Sequence, residues 1–380
     1  MYRMGKEEAD AAARVIESGE LFRVNHGAQE TAHFELELAQ KMGSKYALCV
    51  SEGTTALMSA LAGLGVRPGD EVIVPTYTYI ATASAVLAVG AIPILADIDD
   101  SLTLSPVAVE RAITSRTRAI LPVHMAGMPC DMDALSHLAK KHGLFLIEDA
   151  CQAVGGSYKG RRLGTIGDAG AMSFNYFKII SAGEGGALLT SNEMVYKRAS
   201  IYHDSGAAFW PYTEDRDVPF FVGCAARVSE ITGAILRVQL TRLDGILQDL
   251  RRIRRQILDE SRELVPIRSN DIDGDCGINA AFRFETEEEA RCFAKKAGGW
   301  LPIDSDRHIF YNWEPVMSHR GAFCDEMNPY LMSLNSASQP DYSRESFRSS
   351  LDLLARTVYI SINPNWSEAE VEQVIHRINA

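Results

Sequence analysis

Lys178 lies in Met172-Ser-Phe-Asn-Tyr-Phe-Lys-Ile-Ile-Ser-Ala-Gly-Glu-Gly-Gly186, an apolar run with aromatic neighbours that closes in a glycine turn. Poor solvation favours the neutral amine of a lysine, and a neutral amine is what attacks a carbonyl to form a Schiff base. Most lysines are solvated surface groups, so the weight falls on residues upstream. Asp149 ends the apolar run 144–149. A carboxylate there either caps the strand end or partners a buried cation such as a pyridinium nitrogen. Ser173 stands five residues before Lys178, where its hydroxyl bonds backbone or holds a phosphate oxygen. Gly53 and Thr54 follow the apolar run Tyr46-Ala-Leu-Cys-Val50 and open a helix. Such a turn aims unpaired N–H groups and a helix dipole at an anion. An anion-binding turn, a strand-end carboxylate, a serine and an apolar lysine, in this order, say more together than any one of them.

The elements that must hold these groups alternate. Strand-like runs at 46–50, 71–75, 92–96, 118–124, 144–149 and 187–190 are spaced by helical patterns at 82–89, 105–114 and 132–142. That alternation predicts a mostly parallel, doubly wound α/β sheet. Ligands of such sheets sit at the carboxyl ends of the strands. Gly53-Thr54, Tyr77 to Tyr79, Asp97, His124 and Asp149 all fall just past a strand end, so they are candidates for one shared site. Helices are expected at 7–18, 31–42 and 193–202, and loops at 19–29 and 204–223. A long helical pattern over 229–265 leads into a smaller α+β domain with a strand at 278–284, a helix at 286–297, a strand at 351–362 and a last helix from Ser367. The division is placed at 1–240 and 241–380.

Composition narrows the partners. The chain has 380 residues, 46% hydrophobic and 23% charged, enough for a large core. A net charge of -12 argues against a nucleic-acid partner. The seven cysteines are scattered, with no CxxC pair and no histidines at ligand spacing, which predicts a reduced cytoplasmic protein without a metal site. No secretory pattern is read at the start. Residues 72–96 carry no charge, but Pro75, Gly90 and Pro93 break the run. Strand, helix and strand explain it better than a membrane span.

Glu-Asp-Ala-Cys-Gln-Ala (148–153), Gly-Asp-Ala-Gly-Ala-Met-Ser-Phe-x-x-x-Lys (167–178) and Gly-Glu-Gly-Gly-Ala-Leu-Leu-Thr (183–190) resemble the DegT/DnrJ/EryC1/StrS sugar aminotransferases. The resemblance runs from about residue 10 to the C-terminus, is strongest over 45–205 and thinnest over 265–345. It implies fold type I, with a seven-stranded-type sheet, and a homodimer with active sites at the subunit interface. It also implies pyridoxal 5'-phosphate as cofactor, cycling through pyridoxamine 5'-phosphate. By position, Lys178 would anchor the cofactor, Asp149 pair with the pyridine nitrogen, and Gln152 bond the ring hydroxyl. Tyr79 would stack on the ring, and Gly53, Thr54 and Ser173 would hold the phosphate. The implied reaction moves an amino group from glutamate or glutamine to a keto or aldehyde sugar. Relatives that dehydrate sugars have histidine where this chain has Lys178.

The chain departs from the family pattern twice. The Gly-x-Asn-x-Arg element, whose Asn reaches the partner subunit's cofactor phosphate, reads Gly223-Cys-Ala-Ala-Arg227, so Ala225 has no amide to offer. Glu52 stands where a small polar residue is usual, and a carboxylate beside a phosphate is repulsive. For the substrate, 103–106, 152–168 and Tyr311-Asn-Trp313 look similar to the branch that forms 8-amino-3,8-dideoxy-octulosonate, a sugar acid without a nucleotide. His308, Tyr311, Trp313 and Arg227 are the expected lining. Lyase, decarboxylase or racemase chemistry on an amino acid uses the same Lys178 and Asp149, and a catalytically silent regulator keeps the same fold.

Overall fold

The computed structural model describes residues 3–23, 27–206 and 218–380. Positions 24–26 and 207–217 of the two expected loops lie outside the described residues. Two helices, α1 (Lys6–Ser18) and α2 (Glu30–Met42), precede β1 (Tyr46–Val50) and α3 (Gly53–Leu64). The alternation continues through β2 (Glu71–Pro75), α4 (Ala81–Ala88), β3 (Ile92–Ala96), α5 (Pro106–Ala112), β4 (Thr117–Ile120), α6 (Met132–His142) and β5 (Phe145–Asp149). A small hairpin, β6 (Ser157–Tyr158) and β7 (Arg161–Arg162), leads to β8 (Ala169–Ser173), β9 (Gly186–Thr190) and α7 (Glu193–His203).

The main sheet has the order β1-β9-β8-β5-β4-β2-β3. Every neighbouring pair is parallel except the two that involve β9. The expected mostly parallel, seven-stranded sheet is therefore present, with one strand reversed. Its residues are apolar on both faces, as a sheet covered on both sides requires. Ile73, Ile120, Leu146, Met172 and Leu189 join one core with α2, α6 and the C-terminal elements. Their neighbours Val72, Val74, Ala119, Ile147, Ala171 and Leu188 join the other with α3 and α4. The period of two along each strand sorts the side chains between the cores. The uncharged run 72–96 is β2, α4 and β3, and among the described residues no helix is long and apolar enough to cross a membrane.

Ser229 caps α8 (Glu230–Glu260), which runs unbroken across residues 240 and 241 and packs on α1, α2 and the C-terminal elements. Beyond it, β10 (Val265–Pro266), β11 (Asn279–Arg283) and, later in the chain, β12 (Thr357–Ser361) form an antiparallel sheet. Between β11 and β12 come α9 (Glu287–Ala297), short 3-10 turns, α10 (Glu314–Met317) and α11 (Arg348–Ala355), and α12 (Glu368–Asn379) ends the chain. The strand expected over 351–362 is thus half helix. Leu353 and Leu354 are buried on α11, a placement that a short apolar run cannot distinguish from a strand.

Gly186 sets the distance between helix and sheet. A Cβ on Gly186 would lie 2.4 Å from both C and O of Glu52 and 2.9 Å from the Gly53 nitrogen. These are backbone atoms that cannot swing away. Gly186→Ala is therefore expected to destabilise the fold by about 1–3 kcal/mol, as overpacking does. Urea unfolding checks this, and an unchanged midpoint would contradict the contact.

Candidate active site

Glu148 and Asp149 end β5 on opposite faces of the sheet. Glu148 is buried and serves the structure. It accepts from the N–H groups of Gly164 (2.8 Å), Ile166 (2.5 Å) and Gly167 (2.7 Å). His124 completes the set at 3.0 Å. Because Cys130 N–H donates to His124 Nδ1, the ring proton sits on Nε2 and is given to Glu148. His124 is therefore not part of an open site, although it follows a strand. Asp97 is likewise taken up, by the Ser350 hydroxyl.

Asp149 faces the other way. Its Oδ1 accepts from Cys151 N–H at 3.1 Å and its Oδ2 from the Thr82 hydroxyl at 2.9 Å. A carboxylate has about four acceptor positions, so these two bonds leave room for a further donor. The N-terminus of α3 comes up beside it. A Cβ on Gly53 would lie 2.8 Å from Cys151 Sγ and 3.0 Å from Ser173 Cβ. Gly53, Cys151 and Ser173 are therefore in contact, at the point where α3 begins and β5 and β8 end. Glu52, the N-cap of α3, is exposed, and its N–H donates to Thr55 Oγ1 at 3.2 Å. Burial, and then the Asp149 charge, hold the Cys151 thiol well above its usual range, with Lys178 pulling the other way.

Lys178 follows β8 in a turn closed by its own N–H to Asn175 O, 3.0 Å. It is half-buried, and its aromatic neighbours do not cover it: Tyr176 is 55% and Phe177 82% exposed. The aromatic cover expected for the lysine is not given by these two rings, which the turn points outward, while Ile179 and Ile180 after it are buried. Lys178 does act on the group opposite. Burial, the Lys178 ammonium and Arg307 push His308 down to about 4. Ser305 Oγ lies 2.6 Å from His308 Nδ1, and the His308 ring stands 5.7 Å from Tyr79. Gln152 accepts from Ala126 N–H through Oε1 at 3.0 Å, and among the described residues nothing accepts from its Nε2.

The remaining expected residues fall elsewhere. Trp313 is completely buried, with its indole N–H donating to Arg307 O at 3.0 Å, so it backs the segment carrying His308 and is no lining group. Tyr311 lies under the Arg344 guanidinium, 3.9 Å from the ring centre. Arg227 is ion-paired with the buried Asp204, which removes it as a free clamp for a carboxylate. Ala225 is exposed, and Ser51 N–H donates to the adjacent Ala226 O at 2.7 Å, so this segment lies against the end of β1. Thr78 falls within the strand-end candidates Tyr77 to Tyr79, but sequence reasoning missed Thr82, which stands among small residues and meets a partner 67 positions away.

The groups that converge suit a flat anionic ring. A strand-end carboxylate has acceptor capacity left, a primary amide has donors to spare, and a helix N-terminus sits against a serine with no side chain between them. A lysine is close by. Pyridoxal phosphate fits that donor set.

A model of the DegT/DnrJ/EryC1/StrS aminotransferase family matches residues 3–282. The chain is 42% identical over 247 residues to dTDP-3-amino-3,4,6-trideoxy-alpha-D-glucose transaminase of Streptomyces venezuelae, 64% of this chain and 62% of that one. It is 31% identical over 386 residues to spore coat polysaccharide biosynthesis protein SpsC of Bacillus subtilis (strain 168), covering 99% and 94%. The chain spans only about three-fifths of the first curated relatives it matches. Among solved structures, S. venezuelae DesV superposes with a TM-score of 0.79 at 31% identity over 98% of this chain and 93% of that one. The α/β architecture is that of these enzymes. The chain belongs to the DegT/DnrJ/EryC1/StrS aminotransferase family.

Proposed function

We propose that this chain is a pyridoxal phosphate-dependent aminotransferase acting on a sugar or sugar-like substrate. It takes the amino group from glutamate or glutamine and places it on a keto or aldehyde carbon. The single observation that carries the reading is the convergence of Asp149, Gly53 and Ser173 at the strand ends, with Lys178 on the turn that follows β8. The activity by which the S. venezuelae transaminase relative is named supports the sugar.

When bound, pyridoxal phosphate supplies the ring that accepts the electron pair left as a proton leaves the substrate Cα. The chain's own groups do the rest. The N–H groups of Gly53 and Thr54 and the Ser173 hydroxyl bind the phosphate, helped by the α3 dipole. Asp149 holds a proton on the ring nitrogen, since an anion beside a pyridinium favours its charged form. Gln152 Nε2 donates to the ring hydroxyl, and Tyr79 flanks the ring. Lys178 anchors the cofactor, and its Nζ, once free, takes the Cα proton and returns it. His308 offers an uncharged donor or acceptor at the edge of the site, with Tyr311 further along the same segment. The half-exposed Tyr176 and the exposed Phe177, Phe220 and Val222 support a second copy of the chain closing the site. Seven free cysteines support a reducing cytoplasmic setting, and we place the domain division near residue 240, within α8.

With cofactor added, glutamate or glutamine is expected to yield the corresponding keto acid, and a keto-sugar then to regenerate the starting form. Lys178→Ala should slow the first half by at least roughly 10²–10⁴-fold, the usual worth of a positioned proton carrier. Production of no keto acid from either donor would overturn the reading. His308 provides a check in the cofactor-free protein. Its proton NMR titration should have a midpoint near 4, and Lys178→Met should raise it. The sign for folding follows. Between about 6.5 and the depressed folded value the unfolded chain takes up a proton that the folded chain refuses, so this group weakens folding as pH falls through that window. An unshifted midpoint would contradict the burial of the ring beside Lys178.

A further inference from the structure

The Asp149 carboxylate is gripped from behind by a chain of buried hydroxyls. Thr82 and Thr78 are 0% and 1% exposed, and their Oγ1 atoms lie 2.8 Å apart. An ionised carboxylate only accepts hydrogen bonds, so the Thr82 proton goes to Asp149 Oδ2. Thr82 Oγ1 is then the acceptor toward Thr78, whose alternative acceptor is the more distant Tyr79 O at 3.5 Å. The direction is fixed: Thr78 donates to Thr82, and Thr82 donates to Asp149. A threonine inside a helix ordinarily turns its hydroxyl to solvent or back to the carbonyl four residues earlier. Thr82 does neither, although it lies within α4. With Cys151 N–H on Oδ1, both carboxylate oxygens are tethered and the plane of the group is set.

A donor to the anionic form lowers the proton affinity of a carboxylate. The effect is strong in a dry interior, where few other dipoles compete. In the site proposed above, Asp149 and the cofactor's ring nitrogen contend for one proton. We propose that Thr82 is a positioning residue. Its hydroxyl, polarised by Thr78, fixes the Asp149 carboxylate in its anionic form, so the proton stays on the ring nitrogen. The inference rests on the pyridoxal phosphate reading of the site.

The test uses the holoenzyme loaded with ring-15N-labelled pyridoxal phosphate, comparing wild type, Thr82→Val, Thr82→Ser and Thr78→Val. Valine keeps the shape of threonine without the hydroxyl, and serine keeps the hydroxyl. Thr82→Val is expected to move the 15N shift of the ring nitrogen toward the unprotonated value. It should also slow the amino-donor half-reaction roughly tenfold, the low end for a lost hydrogen bond to a charged group, with donor saturation unchanged. Thr82→Ser should restore both, and Thr78→Val should move them the same way by less. A wild-type 15N shift in Thr82→Val overturns the proposal, as does a Thr82→Ser protein that folds and binds cofactor but stays displaced. Should Thr82→Val not fold, Thr78→Val decides by the same shift. Wild-type protein that takes up no cofactor would instead sink the underlying reading, and this inference with it.

Discussion

Three stretches of chain meet where there is no room for a side chain between them. The peptide entering α3 lies so close to the start of β9 that one methyl group on Gly186 would collide with Glu52 C and O at 2.4 Å. On its other side Gly53 touches Cys151 and Ser173. Packed interiors transmit such constraints because they deform little. The helix N-terminus, the end of β5 and the end of β8 therefore keep one spacing, and the Lys178 turn, which joins β8 to β9, is pinned at both ends. That approach of backbones places Gly53, Ser173 and the turn that carries Lys178.

The end of β5 shows how one strand serves two purposes. Glu148 turns inward and gathers three N–H groups and the His124 ring, which holds the 164–167 loop to the sheet. A buried carboxylate is tolerable only when it is satisfied in this way. Asp149, also buried, faces the opposite side of the sheet with both oxygens tethered and acceptor capacity remaining. The sequence Glu-Asp thus places one fully satisfied carboxylate and one with acceptor capacity to spare on opposite faces of the pleat.

Much of this is legible in the sequence. Apolar runs broken by Gly and Pro located six of the seven strands of the main sheet, because a parallel sheet covered on both faces must be apolar throughout, but not β8, whose Ala-Gly-Ala-Met-Ser is too small-residued to read as a strand. The strand-end rule brought Gly53 and Asp149 to one edge. The same rule over-reached at His124 and Asp97, because position past a strand end does not say whether Glu148 or Ser350 will claim the group. Trp313 is buried where a lining group is expected, and Arg227 has an ion-pair partner in Asp204, for a related reason. An aromatic or an arginine near a suspected pocket looks the same in sequence whether it faces ligand, core or an ion-pair partner such as Asp204. The Thr82–Asp149 contact was out of reach, since α4 offers only a run of small residues and no local period points to a partner in β5. Lys178 is singled out in the sequence by its company, yet its aromatic neighbours Tyr176 and Phe177 are exposed.

The central claim is that these converging groups direct a carbonyl cofactor to one lysine. Borohydride reduction of the protein incubated with pyridoxal phosphate, followed by peptide mass spectrometry, reads this directly. The account predicts one pyridoxyl group per chain, on the peptide containing Lys178. A label spread over surface lysines, or fixed on a different lysine, would contradict it.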